Sequence, residues 1–261
     1  MAYIKTRVWS IEELKDQREV GDKDAKKFAT KLIEKIVEKN AEPSWNDGWY
    51  EDTLNALRDD LKTLGVEDPE INFSGFWSQG DGASFTGKWS LVELLDHLKT
   101  PRPDDDSKDL FHVASRIVRD GVNVEQLTRI VEHVHGYGDE CYAGDPVDLL
   151  LKRNSSHYSH ENTVSIELDS WEEAFDCAPS SSPAEVIAEQ TQLGLLLGEF
   201  EKSMDIVRKN LCRHIYQLLE KEYTYRTSEA GVLESVEDRY FDANGDGWSD
   251  EYVYKEEDDH V

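Results

Sequence analysis

Residues 71–87, INFSGFWSQGDGASFTG, contain two apolar and aromatic runs on either side of a glycine-rich turn at Ser78–Gly82. Such runs around a turn are typical of a β-hairpin. The flanking segments have helical spacing, so the hairpin indicates a mixed fold. The sequence predicts an α+β fold that is mostly helical, with a small antiparallel sheet formed from two hairpins and one long helix in the C-terminal third.

The second predicted hairpin lies in residues 147–168, VDLLLKRNSSHYSHENTVSIEL. Val164, Ile166 and Leu168 alternate with polar residues, which is the pattern of a half-buried strand.

In the first hairpin we expect Phe76, Trp77 and Phe85 to pack beneath the sheet. The turn at Gln79–Gly82 is then structural rather than catalytic.

Helical segments surround the two hairpins. Ser10 and Glu13 have the spacing of a capping box at the start of a helix. We predict a main body over 1–225 and a smaller part over 226–261, which holds an acidic helix, a hairpin and a tail. Within the main body the predicted elements are a helical region at 1–65, a hairpin at 71–87, helices at 90–135, strands at 147–168 and a long helix at 183–223.

The long helix carries apolar residues spaced alternately by four and three positions, which form a 3.5-residue seam. The apolar members of the seam are Leu193, Leu197, Phe200, Met204, Val207, Leu211 and Leu218. His214 occupies the one seam position between Leu211 and Leu218 that is not apolar. Such a seam either packs against the protein's own helices or forms a homodimer contact, and the sequence leaves both interpretations open.

The charge is strongly acidic, with 29 basic and 56 acidic side chains and a net charge of -27. Residues 161–261 hold 8 of the basic and 25 of the acidic groups. This balance disfavours direct contact with nucleic acid or an anionic membrane and favours a basic partner.

The early charges at the N-terminus and the absence of a long apolar run predict a cytoplasmic protein. Three well-separated cysteines, without a CxxC motif, predict reduced thiols.

Residues 242–251, DANGDGWSDE, resemble the loops of dockerin-type and thrombospondin-type calcium modules over this short stretch. The calcium-loop pattern requires oxygen ligands and a bidentate carboxylate at position 12, where this chain has Val253. We therefore expect calcium to bind weakly or not at all, and no other cofactor. The alternative is a glycine-rich hairpin between Tyr240–Phe241 and Tyr252–Tyr254. The candidate metal ligands are Asp242, Asn244, Asp246 and Asp250.

An acid–base pair is the best enzymatic hypothesis. Asp81 in the first turn would meet His157 or His160 if the two hairpins lie side by side. No nucleophile motif or phosphate-binding loop accompanies these residues. A second histidine pair, His133 and His135, lies in a stretch rich in metal ligands, but its spacing does not place both rings on one helix face.

The segments FSGFWSQGDGASF (73–85) and HYSHENTVSIEL (157–168) resemble an uncharacterised family of phage and prophage-borne proteins. The resemblance implies a phage product that acts inside a bacterial host. It assigns no catalytic residue, so no residue role is transferred from it.

The leading hypothesis is a non-enzymatic inhibitor that imitates nucleic acid charge and blocks a basic, nucleic-acid-binding host or defence protein. Acidic side chains three or four apart on a helix lie roughly 5–6 Å apart, comparable to successive phosphates. The alternatives are a small hydrolase-like or metal-dependent enzyme using Asp81 with His157 or His160, and a calcium-stabilised structural protein. The candidate partner-binding residues are Glu199, Glu201, Asp205, Glu220, Glu222, Glu229, Glu234, Glu237, Asp238, Asp242, Asp246, Asp250 and Glu251.

Overall fold

The computed structural model describes residues 3–42, 48–101, 110–141, 148–154, 158–169, 183–249 and 252–256. The helices are α1 (Ile11–Val20), α2 (Lys23–Asn40), α3 (Glu51–Thr63), α4 (Leu91–Lys99), α5 (Leu110–Gly121), α6 (Val124–Cys141), α7 (Pro183–Arg226) and α8 (Glu229–Ser235). The strands are β1 (Tyr3–Arg7), β2 (Trp9–Ser10), β3 (Val66–Ser74), β4 (Gly82–Ser90), β5 (Asp148–Arg153), β6 (Val164–Leu168), β7 (Tyr240–Phe241), β8 (Gly247–Trp248) and β9 (Tyr252–Glu256). The predicted α+β fold is confirmed.

The chain forms two compact units, and both ends of the chain belong to the same one. The first unit comprises Met1–Trp49 and Lys221–Val261, and the second comprises Tyr50–Glu220. The predicted division into 1–225 and 226–261 differs from these units in its placement of the N-terminal residues. The reason is strand pairing, since β1 pairs with β9 and β2 pairs with β7, both antiparallel.

The N-terminal residues differ from the helical region predicted over 1–65, because β1 and β2 come before the first helix. The predicted capping box is confirmed. The Ser10 hydroxyl accepts a hydrogen bond from the Glu13 amide (3.1 Å), and the Glu13 carboxylate accepts one from the Ser10 amide (3.0 Å). α1 therefore begins at Ile11, and the residues before it extend to meet distant strands.

The glycine-rich hairpin in the C-terminal segment closes earlier than predicted. Tyr240–Phe241 pairs with Gly247–Trp248 rather than with Tyr252–Tyr254, which lies in β9 and pairs with β1. Phe241 is buried beside residues of α1 and α2, including Leu14, Leu32 and Ile36. Burial of each such side chain contributes about 1.5–3 kcal/mol, so the short hairpin is held by this core.

The second unit is built around a four-stranded antiparallel sheet in the order β3-β4-β5-β6. Both predicted hairpins are present, and pairing of β4 with β5 joins them into one sheet. Trp89 on β4 is fully buried, and its indole N–H donates to the Leu64 carbonyl at 2.7 Å. β3 and β6 form the two edges, and β3 has a bulge between Glu67 and Glu70.

The seam of α7 packs inside the chain. Its first six members, from Leu193 to Leu211, are at most 6% exposed. A side-chain carbon at Gly121 of α5 would lie only 2.3 Å from Val207, so these helices are in close contact. The seam is thus buried within the single chain and does not offer these six side chains to a second copy.

The seam shifts beyond Leu211, where the buried residues are Cys212, Ile215 and Leu219, while His214 and Leu218 are half-buried. A straight α-helix has 3.6 residues per turn and drifts away from a strict 3.5-residue repeat.

Within the described ranges, no helix is both long and apolar enough to cross a membrane.

Candidate functional site

The turn between β3 and β4 is closed by Asp81. Its Oδ2 accepts hydrogen bonds from the backbone amides of Trp77 (2.6 Å) and Ser78. Gly75 has a φ of 35°, and a side-chain carbon there would lie 2.7 Å from the Asp81 carboxylate. These contacts hold the carboxylate inside the turn.

The two hairpin connections lie side by side, as the acid–base hypothesis requires. A side-chain carbon at Gly82 would lie 2.5 Å from the His160 Cβ. The Nδ1 of His160 accepts a hydrogen bond from the Asn162 amide at 3.1 Å and caps the short 3₁₀ helix Glu161–Thr163. Among the described contacts, no hydrogen bond or ion pair joins Asp81 to His160. His157 lies outside the described residues.

The aromatic residues of this region separate into buried and exposed ones. Phe76 and Phe85 are buried as predicted, and the Phe76 ring stacks on Tyr216 with centroids 5.7 Å apart. The prediction for Trp77 is wrong, because its side chain is 75% exposed on the turn. Tyr158, which is 55% exposed, contacts Gly80. The alternation of large and small residues did not distinguish Trp77 from its buried neighbours.

The candidate calcium loop is held by contacts within the protein. Asp242 is 1% exposed, and its Oδ1 accepts hydrogen bonds from the amides of Asn244 (2.8 Å) and Asp246 (3.2 Å). Asp246 forms an ion pair with Lys39 at 2.6 Å. These contacts are those of a hairpin turn. The described residues contain no group of three or more His, Cys, Asp or Glu side chains placed to hold a metal ion. Asp250 lies outside the described residues.

Most of the predicted acidic surface near the C-terminus is engaged within the first unit. Asp242 does not belong to an exposed surface, because the loop amides hold it in the interior. Four further acidic residues have partners in that unit: Glu222 with Arg226, Glu229 with Arg18, Glu234 with Tyr225 and Asp246 with Lys39. Glu237 and Asp238 are exposed, and their side chains have no partner in the described part of the chain.

The remaining candidates lie on α7 or outside the described residues. Glu201 accepts a hydrogen bond from the Leu168 amide, and Asp205 pairs with Arg208 and Lys209. Glu199 is exposed, Glu220 is half-buried, and Glu251 is not described. Several of the described acidic residues in the C-terminal third therefore have partners within the protein.

Comparison with known families gives one match. A family model described as a domain of unknown function, DUF8835, matches residues 49–229. The chain belongs to the DUF8835 family. No match was found among curated proteins or among solved structures. The DUF8835 region includes the whole second unit, so it includes the four-stranded sheet and both hairpin connections.

The DUF8835 region also contains exposed acidic residues that the sequence analysis missed. We call them the acidic edge: Glu67, Asp68 and Glu70 on β3, and Glu93 and Asp96 on α4. Their side chains have no hydrogen bond or ion pair in the described part of the chain. A side-chain carbon at Gly65 would lie 3.0 Å from the Glu93 Cβ, so α4 begins beside the start of β3.

A local signal for the acidic edge was present in the sequence VEDPE (66–70). Proline within a strand is typical of a sheet edge, where one side lacks a hydrogen-bonded neighbour. Three acidic residues around Pro69 therefore indicate exposed charge on an edge strand. The net charge of a long segment does not reveal such a local cluster.

Proposed function

We propose that this DUF8835 protein is a non-enzymatic inhibitor that binds the basic, nucleic-acid-binding surface of a partner protein. The acidic edge makes the contact and occupies the place of nucleic acid phosphates. In keeping with the resemblance of residues 73–85 and 157–168 to phage and prophage-borne proteins, the protein is a phage product and its partner is a host or defence protein.

The observation that carries the proposal is a group of exposed acidic side chains on β3 and α4 for which the described part of the chain shows no hydrogen bond or ion pair. The charge of Glu67 also acts on Lys88, which lies opposite it on β4. Some other acidic groups of the second unit, namely Asp148, Asp205 and Glu161, have basic partners instead. Exposed charges that are not neutralised by a neighbouring side chain produce an electrostatic potential in the solvent, and this potential attracts a surface of opposite charge. The net charge of -27 acts in the same direction and repels nucleic acid itself.

The enzymatic alternative has weaker support. The adjacency of Gly82 and His160 favours it, because it brings the two connections together. However, Asp81 accepts two turn amides and His160 caps a 3₁₀ helix, so both groups already have structural roles. An acid–base pair also requires the two groups to act on one proton, and no hydrogen bond joins Asp81 to His160 in the described part of the chain.

Three matched double variants test the proposal and locate the surface. Glu70→Lys/Asp96→Lys reverses two charges of the acidic edge, and Glu237→Lys/Asp238→Lys does the same in the C-terminal segment. Glu34→Lys/Glu38→Lys on α2 changes the net charge equally and serves as the control, since both residues are exposed and unpaired in the described structure. Each protein is used to capture partners from a bacterial lysate at low and high salt.

We expect the acidic-edge variant to capture the partner about 10- to 100-fold less strongly, because each reversed exposed contact changes the binding energy by roughly 1 kcal/mol. Lysine also protects a strand edge from aggregation, so this variant separates lost recognition from lost solubility. Equal losses in all three variants would indicate a general charge effect and contradict the proposed surface. Loss in the Glu237/Asp238 variant alone would place the contact in the C-terminal segment instead.

A further inference from the structure

The two edge strands of the four-stranded sheet differ in how far they are protected against pairing with another strand. β3 carries Pro69, a bulge and exposed acidic residues, all of which hinder the addition of another strand. β6 has the sequence VSIEL, with no proline, and it pairs with β5 in an unbroken register. Among the described strands, none pairs with the outer side of β6. In the described part of the chain, this edge therefore lacks a strand partner.

The register shows which backbone groups face outward. The Thr163 carbonyl accepts from Asn154 at 2.7 Å, and the Asp169 amide donates to Asp148 at 2.8 Å, so residues 163, 165, 167 and 169 face β5. Along an antiparallel strand, the backbone N–H and C=O groups of successive residues point alternately towards the paired strand and away from it. The backbone groups of Val164, Ile166 and Leu168 therefore face the outer side. Glu201 accepts the Leu168 N–H at 3.3 Å.

A groove runs along this edge. It has a volume of about 570 Å³ and is lined by residues of β6 and α7. Val164, Ile166 and Ile206 provide its apolar surface, and Ile206 is 59% exposed. A large apolar side chain beside an unpaired strand edge is suited to contact an apolar side chain on an added strand.

The charge of the groove is opposite to that of the whole chain. Its lining contains three basic residues and two acidic ones, whereas the chain has a net charge of -27. Asp205 is shared by Arg208 (2.5 Å) and Lys209 (2.7 Å). Lys202 is exposed and has no partner in the described part of the chain. The groove therefore favours an acidic side chain near Lys202.

We propose that the open edge of β6 binds an extended segment of a partner protein as a fifth strand. The segment carries an acidic side chain with apolar side chains two positions away on either side, because alternate residues of a strand share one face. Backbone hydrogen bonds to Val164 and Ile166 supply affinity, and Lys202 and Ile206 supply specificity. This surface is separate from the acidic edge and selects the opposite charge.

The probe is the capped peptide TVTDTVT, which places Val, Asp and Val on one face. It is titrated into the full chain while the backbone amide signals are followed by NMR. We expect saturable shifts at Val164, Ser165 and Ile166, with binding about 3- to 5-fold tighter than that of TVTKTVT, as one exposed ion pair allows. Methylation of alternate peptide nitrogens should remove binding, because the added strand then lacks its donors.

Lys202→Glu should reverse the preference, so that TVTKTVT binds more tightly than TVTDTVT. Lys221→Glu, at an exposed residue of the same helix outside the groove, is the matched control and should leave the preference unchanged. The proposal is overturned if these amides do not respond, if the methylated peptide binds equally well, or if Lys202→Glu leaves the preference as it was. Concentration-dependent dimerisation that Ile166→Lys abolishes would also overturn it, since a second copy would then occupy the edge.

Discussion

Lys39 of α2 and Asp246 of the loop before β8 form an ion pair with 2.6 Å between Nζ and Oδ1. Lys35, one turn earlier, donates to the Ala243 carbonyl at 3.1 Å. Residues 1–49 contain 10 basic and 10 acidic side chains, and residues 221–261 contain 4 and 13. The acidic C-terminal segment thus shares a unit with lysines that neutralise part of its charge.

Calcium is expected to bind the loop weakly or not at all, because Asp242 already accepts two loop amides and Asp246 is paired with Lys39. Calorimetric titration should show no sub-micromolar site. Asp246→Ala should change the free energy of unfolding by at most about 1 kcal/mol, since the ion pair is exposed. Tight calcium binding that disappears in this variant would show that the loop is a metal site.

Gly82→Ala should destabilise the second unit, because the added carbon would lie 2.5 Å from the His160 Cβ. We expect a loss of about 1–3 kcal/mol, as for other overpacked sites. Gly194→Ala is the matched control, since no described atom lies within 4 Å of its added carbon, and it should stabilise α7 by up to about 1 kcal/mol. Chemical unfolding monitored by circular dichroism measures both.

The opposite order of stabilities for these two glycine variants would contradict the placement of His160 against β4. His160→Gly in the Gly82→Ala background supplies a second check, because it removes the opposing carbon. It should recover part of the lost stability if the steric contact is the cause.

Lys88→Met should destabilise the protein at neutral pH, because it removes the partner of Asp148, which is 1% exposed and lies 2.6 Å from Lys88. An unpaired buried group costs about 1–3 kcal/mol. Lys152→Met is the control, since its ion pair with Glu167 has the same length but is exposed on both sides. It should change stability by less than about 1 kcal/mol.

The pH dependence of this pair has a definite sign. Burial raises the pKa of Asp148 despite the hydrogen bond from Lys88, so protonation of Asp148 favours the folded state. The contribution of Asp148 to stability therefore increases as pH falls through its raised pKa, and the Lys88→Met defect should shrink in acid. The hydrogen bond to Asp148 raises the pKa of Lys88, so its contribution is lost only as pH rises above 10.5. A defect that grows in acid would refute this assignment.

Cys212 should be unreactive in the folded protein, because burial raises the pKa of its thiol to about 11 and the side chain is fully enclosed. The Cys141→Ser/Cys177→Ser variant isolates this thiol. Its reaction with a disulfide reagent at neutral pH should require denaturant, since the thiolate is the reactive form. Rapid stoichiometric labelling without denaturant would show that Cys212 is accessible.

The features that the sequence predicted correctly are local ones. The capping box of Ser10 and Glu13, the hairpin at 71–87 and the first part of the α7 seam each follow from patterns within a few turns or strands. The pairing of β2 with β7 was not predictable in this way, because Trp9 and Phe241 are 232 positions apart in the chain but paired in the sheet. Counting charges by position likewise missed the partners that Lys39 and Arg18 provide to the C-terminal segment.

Displacement of DNA from the captured partner tests the central claim most directly. A labelled DNA duplex is bound to the partner, and its fluorescence anisotropy is followed as the wild-type chain or Glu70→Lys/Asp96→Lys is added. We predict that the wild-type chain releases the duplex and that the variant needs at least about tenfold more protein to do so, with weaker competition by both at higher salt. Equal displacement by the variant and the wild type, or no displacement by either, would contradict the proposed action of the acidic edge.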